Sequence, residues 1–308
     1  MGDPAGHRRE TTFHDYAVTP THEHPSEGTE RTRLAPVLAR ATARLAEAGV
    51  ASPRVDAELL AAHALGVGRG RLLLIDTLRG TELRRFDELV AERARRIPLQ
   101  HLLGTAAFRH LELAVGDGVF VPRPETELLA GWGIEHTVPG ATVVDLCSGT
   151  GAIALSVADE AEPARVLAVE RSAAALAYLR RNAADFPAVQ VVQGDVTDLG
   201  LLAECRGEVD VLLCNPPYVP DGTVVPAEVA EHDPAEAVFG GADGLVVIRP
   251  VIALAAALLR PGGVVGIEHD DVHASAVPDL LRSDGRFIDV TAHRDFSDRP
   301  RFATARRV

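Results

Sequence analysis

Apolar residues recur at helical spacing in the first third of the chain. The first set is Leu34, Val37, Leu38, Ala41 and Leu45, the second is Val55, Leu59, Leu60 and Leu65, and the third is Leu83, Phe86, Leu89 and Val90. Pro36 lies near the start of the first set, Gly66 follows the second, and Pro98 comes after the third. This spacing, with Pro and Gly at the ends, is typical of amphipathic helices. The pattern therefore predicts a small helical domain over residues 34–104.

The third of these predicted helices carries arginines among acidic residues. The arginines are Arg84, Arg85, Arg93, Arg95 and Arg96, and the acids are Glu82, Asp87, Glu88 and Glu92. Opposite charges at this spacing are typical of a solvated helix face with local ion pairs. We favour that interpretation, and the alternative is a docking surface for an acidic partner or substrate.

The pattern changes to a two-residue alternation after the helical region. Residues 108–115 alternate in the manner of a strand, Gly116, Asp117 and Gly118 form a turn signal, and residues 119–121 resume the extended pattern. Two alternating runs around a Gly-containing turn predict a β-hairpin. We expect this hairpin, over residues 105–122, to link two domains.

Beyond the hairpin, short β-branched runs alternate with Ala-rich helical segments. The runs are Thr142–Leu146, Arg165–Val169, Val189–Val192, Val209–Leu213 and Val264–Glu268. Such alternation predicts an α/β domain, over residues 123–308, in which a mostly parallel sheet has helices on both faces. Residues 1–33 are polar and are predicted to be a disordered tail, in which the group His22, Glu23 and His24 is not expected to hold a metal.

Composition excludes several classes of protein. Hydrophobic residues make up 46% of the chain, so a sizeable core is available, and the formal charge of −13 disfavours a nucleic-acid-binding protein. The irregular spacing of Cys147, Cys205 and Cys214 predicts reduced thiols in a cytoplasmic protein rather than disulfides or a zinc site. No apolar run reaches the length of about 18 residues that a membrane span needs.

A glycine-containing turn follows the first predicted strand of the α/β domain. The strand end and turn consist of Asp145, Leu146, Cys147, Ser148, Gly149, Thr150 and Gly151. The turn lacks both the spacing of a dinucleotide fingerprint and the Lys of a phosphate-binding loop. Because an acid ends the strand, the ligand should carry an amine or a cation. S-adenosylmethionine (SAM), with its methionyl amine and its sulfonium, fits this description.

Acidic residues also lie at the tips of the next two predicted strands. Glu170 ends the second strand, where a carboxylate can accept hydrogen bonds from two ribose hydroxyls. Asp195 and Val196 follow the third strand and could contact the amino group and the ring of an adenine. Each acid could instead cap a helix, but Ser172 and Asp198 are also available as caps. Acids at three successive strand tips therefore favour a SAM site.

The fourth predicted strand runs directly into Asn215, Pro216, Pro217 and Tyr218, here called the tetrapeptide. The topology places this strand tip beside the first, so Asn215 should also border the cofactor. A planar nitrogen attacks a methyl group only when its lone pair is aimed at that carbon. The Asn215 side-chain carbonyl and the Pro216 backbone carbonyl can accept hydrogen bonds from the two N–H groups of this nitrogen. Tyr218 can stack on the planar group. We therefore expect Asn215, Pro216 and Tyr218 to be catalytic.

Several segments resemble the HemK/PrmC family, the N5-glutamine methyltransferases of peptide chain release factors. They are Pro98–Gly104, Phe120–Glu127, Asp145–Ile153, Asn215–Val219, Gly240–Leu245 and Arg299–Phe302. The resemblance covers residues 34–308. It implies a Rossmann-like, seven-stranded class I SAM-dependent methyltransferase domain, preceded by the helical domain and the linking hairpin.

The resemblance also implies roles for individual residues. The turn from Cys147 to Gly151 would line the methionine end of SAM, the tetrapeptide would hold a substrate glutamine, and Phe120, Arg123 and Glu125 would border the pocket. Of these, Phe120 would contact the cofactor, while Arg123 and Glu125 would contact the substrate. The substrate of the family is the glutamine in the Gly-Gly-Gln loop of class I release factors.

Alternative substrates share the same chemistry at the tetrapeptide. They are a glutamine of a ribosomal protein and a base of a nucleic acid, of which the acidic charge disfavours the second. A SAM-binding scaffold without activity is disfavoured by the complete set of acids and the intact tetrapeptide. We expect a cytoplasmic monomer that needs no metal and binds neither a membrane nor nucleic acid directly.

Overall fold

The computed structural model describes residues 31–308. The rest of the predicted tail, including His22, Glu23 and His24, lies outside the described residues. Residues 31–33 do not belong to a tail, because strand β1 (Arg31–Arg33) pairs antiparallel with strand β2 (Thr77–Arg79). Their polar sequence gives no strand pattern, and only the pairing with a distant segment makes them a strand.

The helical region contains four α-helices and a short 3-10 helix over Arg69–Leu74. The helices are α1 (Leu34–Glu47), α2 (Pro53–Leu65), α3 (Gly80–Ala94) and α4 (Leu99–Leu103). Every apolar residue of the set predicted for α1 is buried, and α2 ends where Gly66 adopts a left-handed conformation. The buried face of α2 is lined mainly by Ala57, Leu60 and Ala61, whereas Val55 is 37% exposed. Small alanines allow α1 and α2 to pack closely at this face.

Arg93 does not belong to a solvated helix face. It is buried, and its guanidinium pairs with Asp56 of α2 at 2.7 Å and with Glu228 at 3.0 Å. Arg96 also donates to Glu228, at 2.9 Å. Glu228 lies in the segment that follows the tetrapeptide, so these bonds tie the helical region to that segment. Arg95, by contrast, is exposed at the C-terminal end of α3 and pairs with Glu92 of the same helix, as predicted.

The hairpin lies where it was predicted, but its turn does not. Strands β3 (Thr105–Phe108) and β4 (Leu111–Ala114) pair antiparallel, and the turn is formed by Arg109 and His110. Gly116, Asp117 and Gly118 therefore lie after the hairpin, and residues 119–121 are not a strand. The true turn interrupts the alternation with two adjacent polar residues, but it contains no Gly, Pro, Asn or Asp and therefore lacks the usual turn signal. Arg109 adopts φ +50° and is held there by a bidentate pair with Glu160.

A seven-stranded sheet forms the centre of the α/β domain. Its strands are β5 (Thr142–Leu146), β6 (Arg165–Glu170), β7 (Val189–Gln193), β8 (Val209–Cys214), β9 (Leu259–Glu268), β10 (Phe287–Arg294) and β11 (Pro300–Arg307). The order is β10-β11-β9-β8-β5-β6-β7. Strands β5 to β9 are parallel, and β10 and β11 add an antiparallel edge. The five predicted strands are confirmed.

Helices cover both faces of this sheet, as predicted for the fold class. They are α5 (Thr126–His136), α6 (Ala152–Glu160), α7 (Ala173–Asn182), α8 (Ala227–His232), α9 (Ala235–Val238), α10 (Ile248–Leu258) and α11 (Ala276–Asp284). Short 3-10 helices span Ala183–Asp185, Ala203–Cys205 and Asp271–His273. One apolar core joins the sheet to α10 and α11, and another joins it to α5, α6 and α7. Among residues 31–308, no helix is both long enough and apolar enough to span a membrane.

The strand order fixes the position of a site. The chain leaves β5 toward β6 on one side, whereas β8 joins β5 on the other side, with Leu146 beside Cys214. In open α/β sheets, ligands bind at the carboxyl ends of the strands where the order reverses in this way. The turn after β5 and the tetrapeptide after β8 therefore meet at one crevice.

Candidate active site

A cavity of about 300 Å³ lies at the carboxyl ends of β5, β6 and β8. Most of the predicted site residues line it: Phe120, Arg123, Cys147, Ser148, Gly149, Thr150, Glu170, Asp195, Val196, Asn215, Pro216, Pro217 and Tyr218. The fold thus brings together residues from five separate parts of the sequence. Asp145, Gly151 and Glu125 do not line the cavity, and each has a physical reason to lie elsewhere.

Asp145 lies beneath the turn rather than facing a ligand. It is still within β5, paired in register with Leu213, and is fully buried. Its Oδ2 atom accepts the N–H of Ala154 at 3.2 Å, at the start of α6. Burial raises the pKa of Asp145 to about 7, against the opposing effect of the hydrogen bonds from Ser148 and Ala154. Asp145 thus lies outside the cavity lining, and the observed contact joins β5 to α6. Its role in binding the cofactor stays a prediction.

The two glycines of the turn serve different purposes. A Cβ atom on Gly151 would lie 2.6 Å from Leu179 Cδ1, so this glycine permits α6 and α7 to pack closely. A Cβ atom on Gly149 would meet nothing within 4 Å, and its backbone therefore stays open toward the cavity. Cys147 lies between β5 and the two glycines. It adopts φ +60°, a left-handed conformation that is uncommon outside glycine. The turn thus exposes its backbone to the cavity at Gly149 and packs against α7 at Gly151.

Glu170 occupies the tip of β6 and holds the turn. Its Oε2 atom accepts the N–H of Gly149 at 2.9 Å, and its Oε1 atom accepts the N–H of Ser172 at 2.7 Å. Each carboxylate oxygen can accept a further hydrogen bond, so both remain able to bind a pair of hydroxyls.

Asp195 is more fully engaged by its neighbours. Its Oδ1 atom accepts from the Thr197 backbone at 2.9 Å and from the Thr197 hydroxyl at 2.7 Å, and its Oδ2 atom accepts from Arg171 at 3.3 Å. The bonds from Thr197 lower the pKa of Asp195, so the group stays ionised. Val196, beside it, is buried and supplies an apolar wall to the same end of the cavity.

The side chain of Asn215 has a defined orientation. Its Nδ2 atom donates to the hydroxyl oxygen of Thr126 at 3.1 Å. The remaining polar atom, Oδ1, is therefore free to accept a hydrogen bond inside the cavity. Thr126 is buried at the first position of α5, and the sequence pattern did not single it out. The only signal was its place within the segment Phe120–Glu127.

Tyr218 is anchored at its hydroxyl group. The hydroxyl donates to Glu268 Oε1 at 3.0 Å, and burial raises the pKa of Tyr218, so the phenol stays protonated. Its ring lines the cavity and offers an apolar surface there. Glu268 is a second residue that the sequence pattern did not place at the site, although its strand was predicted.

The glycines of the segment Gly240–Leu245 pack against the backbone of the tetrapeptide. A Cβ atom on Gly240 would lie 2.6 Å from the Pro217 carbonyl oxygen, and one on Gly244 would collide with the Tyr218 carbonyl oxygen. The N–H of Gly240 also donates to the Val219 carbonyl at 2.9 Å. This segment therefore fixes the path of the tetrapeptide from behind, at a distance that only glycine permits.

Arg123 and Glu125 point in different directions. Arg123 lies over the Phe120 ring, 4.8 Å from its centroid, and pairs with the buried carboxylate of Asp233. Glu125 precedes α5 and is exposed, because the first turn of the helix directs Thr126 inward and Glu125 outward. Glu125 thus lies outside the cavity lining, and its contact with the substrate stays a prediction.

Comparison with known proteins decides the family. Residues 36–104 match the family model described as the PrmC N-terminal domain, and residues 126–232 match the methyltransferase small domain. A release factor glutamine methyltransferase of Mycolicibacterium smegmatis is 55% identical over 278 residues, covering 90% of this chain and 99% of that protein. The chain belongs to the release factor glutamine methyltransferase family. A relative of the same name from Mycobacterium tuberculosis is 48% identical over 272 residues, covering 87% of this chain and 89% of that protein.

Another relative bears a different name. A 4-amino-L-phenylalanine/4-methylamino-L-phenylalanine methyltransferase of Streptomyces pristinaespiralis is 41% identical over 276 residues, covering 86% of this chain and 92% of that protein. This relative is less similar to the chain than the two release factor glutamine methyltransferases are.

This member of the family is a methyltransferase that uses SAM. The observed cavity fits that cofactor in three respects. Gly149 leaves its backbone open to the cavity, Glu170 keeps two acceptor oxygens at the tip of β6, and Val196 forms an apolar wall beyond it. Together these groups suit an amino acid end, a ribose diol and an aromatic ring, in that order.

Glu170→Ala should weaken SAM binding without a comparable effect on the transfer step. We expect the Kd for SAM to rise about 10- to 100-fold, because hydrogen bonds to a charged group contribute about 1.5–3 kcal/mol. Isothermal titration calorimetry measures the Kd, and kcat is then measured at saturating SAM. Glu204→Ala, which removes an exposed carboxylate of the same domain, is the matched control and should leave the Kd unchanged. An unchanged Kd in Glu170→Ala would remove Glu170 from the cofactor site.

Proposed function

We propose that the protein transfers a methyl group from SAM to the side-chain amide nitrogen, N5, of the glutamine in the Gly-Gly-Gln loop of class I release factors. One observation carries the proposal: the relative of that name from M. smegmatis matches 99% of its own length at 55% identity. The orientation of Asn215 supports it, because an acceptor facing the cavity suits a substrate that offers N–H groups.

The residues of the tetrapeptide act by positioning the substrate amide. The lone pair of an amide nitrogen is delocalised, so the nitrogen attacks only when that lone pair points at the methyl carbon. Asn215 Oδ1 and the Pro216 carbonyl oxygen accept hydrogen bonds from the two N–H groups of the amide and hold the nitrogen in this pose. Pro216 and Pro217 contribute no competing N–H donor and stiffen the loop. The Tyr218 ring packs against the flat face of the amide.

The remaining residues of the cavity hold the cofactor. Bound SAM supplies an electrophilic methyl group on its sulfonium. The backbone of the turn from Cys147 to Thr150 surrounds the methionine end, and Glu170 accepts from the ribose hydroxyls. Asp195 and Val196 bind the adenine end, and Phe120 borders the cofactor near Asn215. Arg123 borders the substrate side, where its pairing with Asp233 holds it in place.

Three parts of the chain share the work in this proposal. Residues 34–104 form a helical substrate-docking domain, residues 105–122 form the link, and residues 123–308 form the methyltransferase domain. The bonds from Arg93 and Arg96 to Glu228 support a direct connection between docking and catalysis. Glu228 belongs to α8, and its neighbours Pro226 and Val229 line the cavity. We propose that the protein works as a monomer in the cytoplasm and does not bind nucleic acid directly.

The substrate is tested with tritiated SAM and purified release factors. We expect label to appear in the wild-type factor and to disappear when the glutamine of the Gly-Gly-Gln loop is changed to alanine. Labelling that persists without this glutamine would contradict the assignment. Free 4-amino-L-phenylalanine and ribosomal proteins are included as alternative acceptors, because the S. pristinaespiralis relative bears the name of a methyltransferase for the former. Preferential labelling of either would replace the release factor as the substrate.

A further inference from the structure

Glu268 is a fully buried carboxyl group directly behind the tetrapeptide. It ends strand β9, beside β8, and only 1% of its surface is exposed. Its Oε1 atom accepts the Tyr218 hydroxyl at 3.0 Å. Its Oε2 atom has no hydrogen-bond partner among residues 31–308. A buried carboxylate oxygen without a donor is costly, so its presence at this place calls for a reason.

Thr126 connects the same carboxyl group to Asn215. The Thr126 hydroxyl oxygen accepts from Asn215 Nδ2 at 3.1 Å, so its own proton remains available for donation. The helix α5, which begins at Thr126, packs against the strand β9, which ends at Glu268, and the Thr126 hydroxyl opposes the rise in the pKa of Glu268 that burial causes. Tyr218 is thus bonded to Glu268 directly, and Asn215 is bonded to Thr126, at the start of the helix that packs against the strand of Glu268.

The charged groups around Glu268 partly offset the cost of burying it. Burial raises the pKa of Glu268 to about 7, while Thr126, Tyr218 and Arg301 lower it and Glu125 raises it further. Arg301 approaches from β11 and is itself held by Asp295 at 2.9 Å. The pocket behind the tetrapeptide therefore contains a cation and two hydroxyl groups, a set that suits an ionised acceptor.

In its ionised form Glu268 has only acceptors, so the Tyr218 hydroxyl can only donate to it. The Thr126 hydroxyl keeps its own proton available for donation. The Thr126 oxygen then accepts from Asn215 Nδ2, which leaves Asn215 Oδ1 as the group that faces the cavity. An amide in place of the carboxylate would offer an acceptor at one end and a donor at the other, so a hydroxyl at the second end would find no acceptor.

We propose that Glu268 is a positioning residue for methyl transfer, which orients Asn215 through Thr126 and Tyr218 directly so that the tetrapeptide presents acceptors to the substrate nitrogen. This inference rests on the proposed function of the tetrapeptide. Glu268 touches neither the substrate nor the cofactor, and it acts only on the orientation of the groups that do.

The test is the isosteric variant Glu268→Gln, assayed with SAM and a release factor. We expect kcat to fall about 10- to 100-fold, because small errors in the placement of reacting groups have effects of this size. The Kd for SAM and the KM for the release factor should change by less than about two-fold, because the binding surfaces are intact. Glu204→Gln, an exposed carboxylate, is the control and should behave as the wild type.

A second variant keeps the inference testable if Glu268→Gln fails to fold. Thr126→Val removes the hydroxyl at constant shape and should lower kcat to a similar extent, whereas Thr126→Ser should restore most of it. The double variant Glu268→Gln/Thr126→Val should be little worse than either single variant, because the two residues act in one network. Wild-type kcat in Glu268→Gln, or in Thr126→Val, would overturn the inference. Failure of the wild-type protein to methylate the glutamine would instead overturn the proposed function.

Discussion

Asn215→Ala should lower kcat for glutamine methylation at least about 100-fold while leaving the Kd for SAM within about two-fold. The variant removes the Oδ1 acceptor that faces the cavity, and water that replaces it cannot hold the substrate nitrogen in one pose. The backbone around residue 215 is fixed independently by β8 and by the segment Gly240–Leu245, so the cofactor side should persist. Single-turnover assays measure the transfer step, and calorimetry measures SAM binding.

Asn215→Asp is the control for this prediction. It keeps an acceptor oxygen at the same position and loses only the donation from Nδ2 to Thr126. We therefore expect Asn215→Asp to retain more activity than Asn215→Ala. If SAM binding collapsed in the alanine variant, Asn215 would be chiefly a cofactor residue. The opposite pattern is expected for Glu170→Ala, and the two variants together separate binding from transfer.

Gly244→Ala should destabilise the protein and abolish most of its activity. Gly244 adopts φ +71°, where an alanine costs about 1–2 kcal/mol. Its added methyl group would also collide with the Tyr218 carbonyl oxygen and the His273 ring, which costs about 1–3 kcal/mol more. Relief of the collision moves Tyr218, so kcat should fall about 100-fold in the fraction that remains folded. Urea unfolding and a steady-state assay measure the two effects.

Gly285→Ala is the matched control for that substitution. Gly285 adopts φ +75° after α11, and a Cβ atom there would meet nothing within 4 Å. This variant should show the backbone cost alone, with wild-type kcat. Equal losses of stability in the two variants, together with normal kcat in Gly244→Ala, would show that the segment Gly240–Leu245 does not support the tetrapeptide.

The sequence pattern was most informative for the parallel strands. Strands β5, β6 and β8 are buried on both faces, so each is a short apolar run that stands out from the Ala-rich helices. Strands β10 and β11 were not indicated by such runs. In β10 five of the eight residues are exposed, apolar Ile288 among them, because the strand lies at the edge of the sheet. Edge strands are specified by pairing more than by hydrophobic pattern.

The pattern was least informative where polar groups are buried. Arg93 has the sequence context of a solvated residue, but the fold places Asp56 and Glu228 around it. The turn of the hairpin at Arg109 was missed for a related reason, because its bidentate partner Glu160 lies far along the chain. Neither feature has a local signal.

The candidate site also combines features that have a local sequence signal with features that depend on distant contacts. The sequence by itself determined which residues are candidates for the chemistry: the glycine turn, the acid at the tip of β6 and the tetrapeptide. These are local motifs, and parallel topology brings strand ends together whatever the details of packing. The family resemblance then indicated the substrate, and the comparisons showed the family.

Only the tertiary structure decided how those residues are oriented. It placed Asp145 beneath the turn, Gly151 against Leu179 and Glu125 in solvent, although all three belong to the predicted motifs. It also placed Thr126 and Glu268 behind the tetrapeptide. The direction of a side chain and its hydrogen-bond partner depend on which distant elements pack against it. The spacing of residues along the chain therefore identifies the reacting groups, and three-dimensional packing sets the direction in which they point.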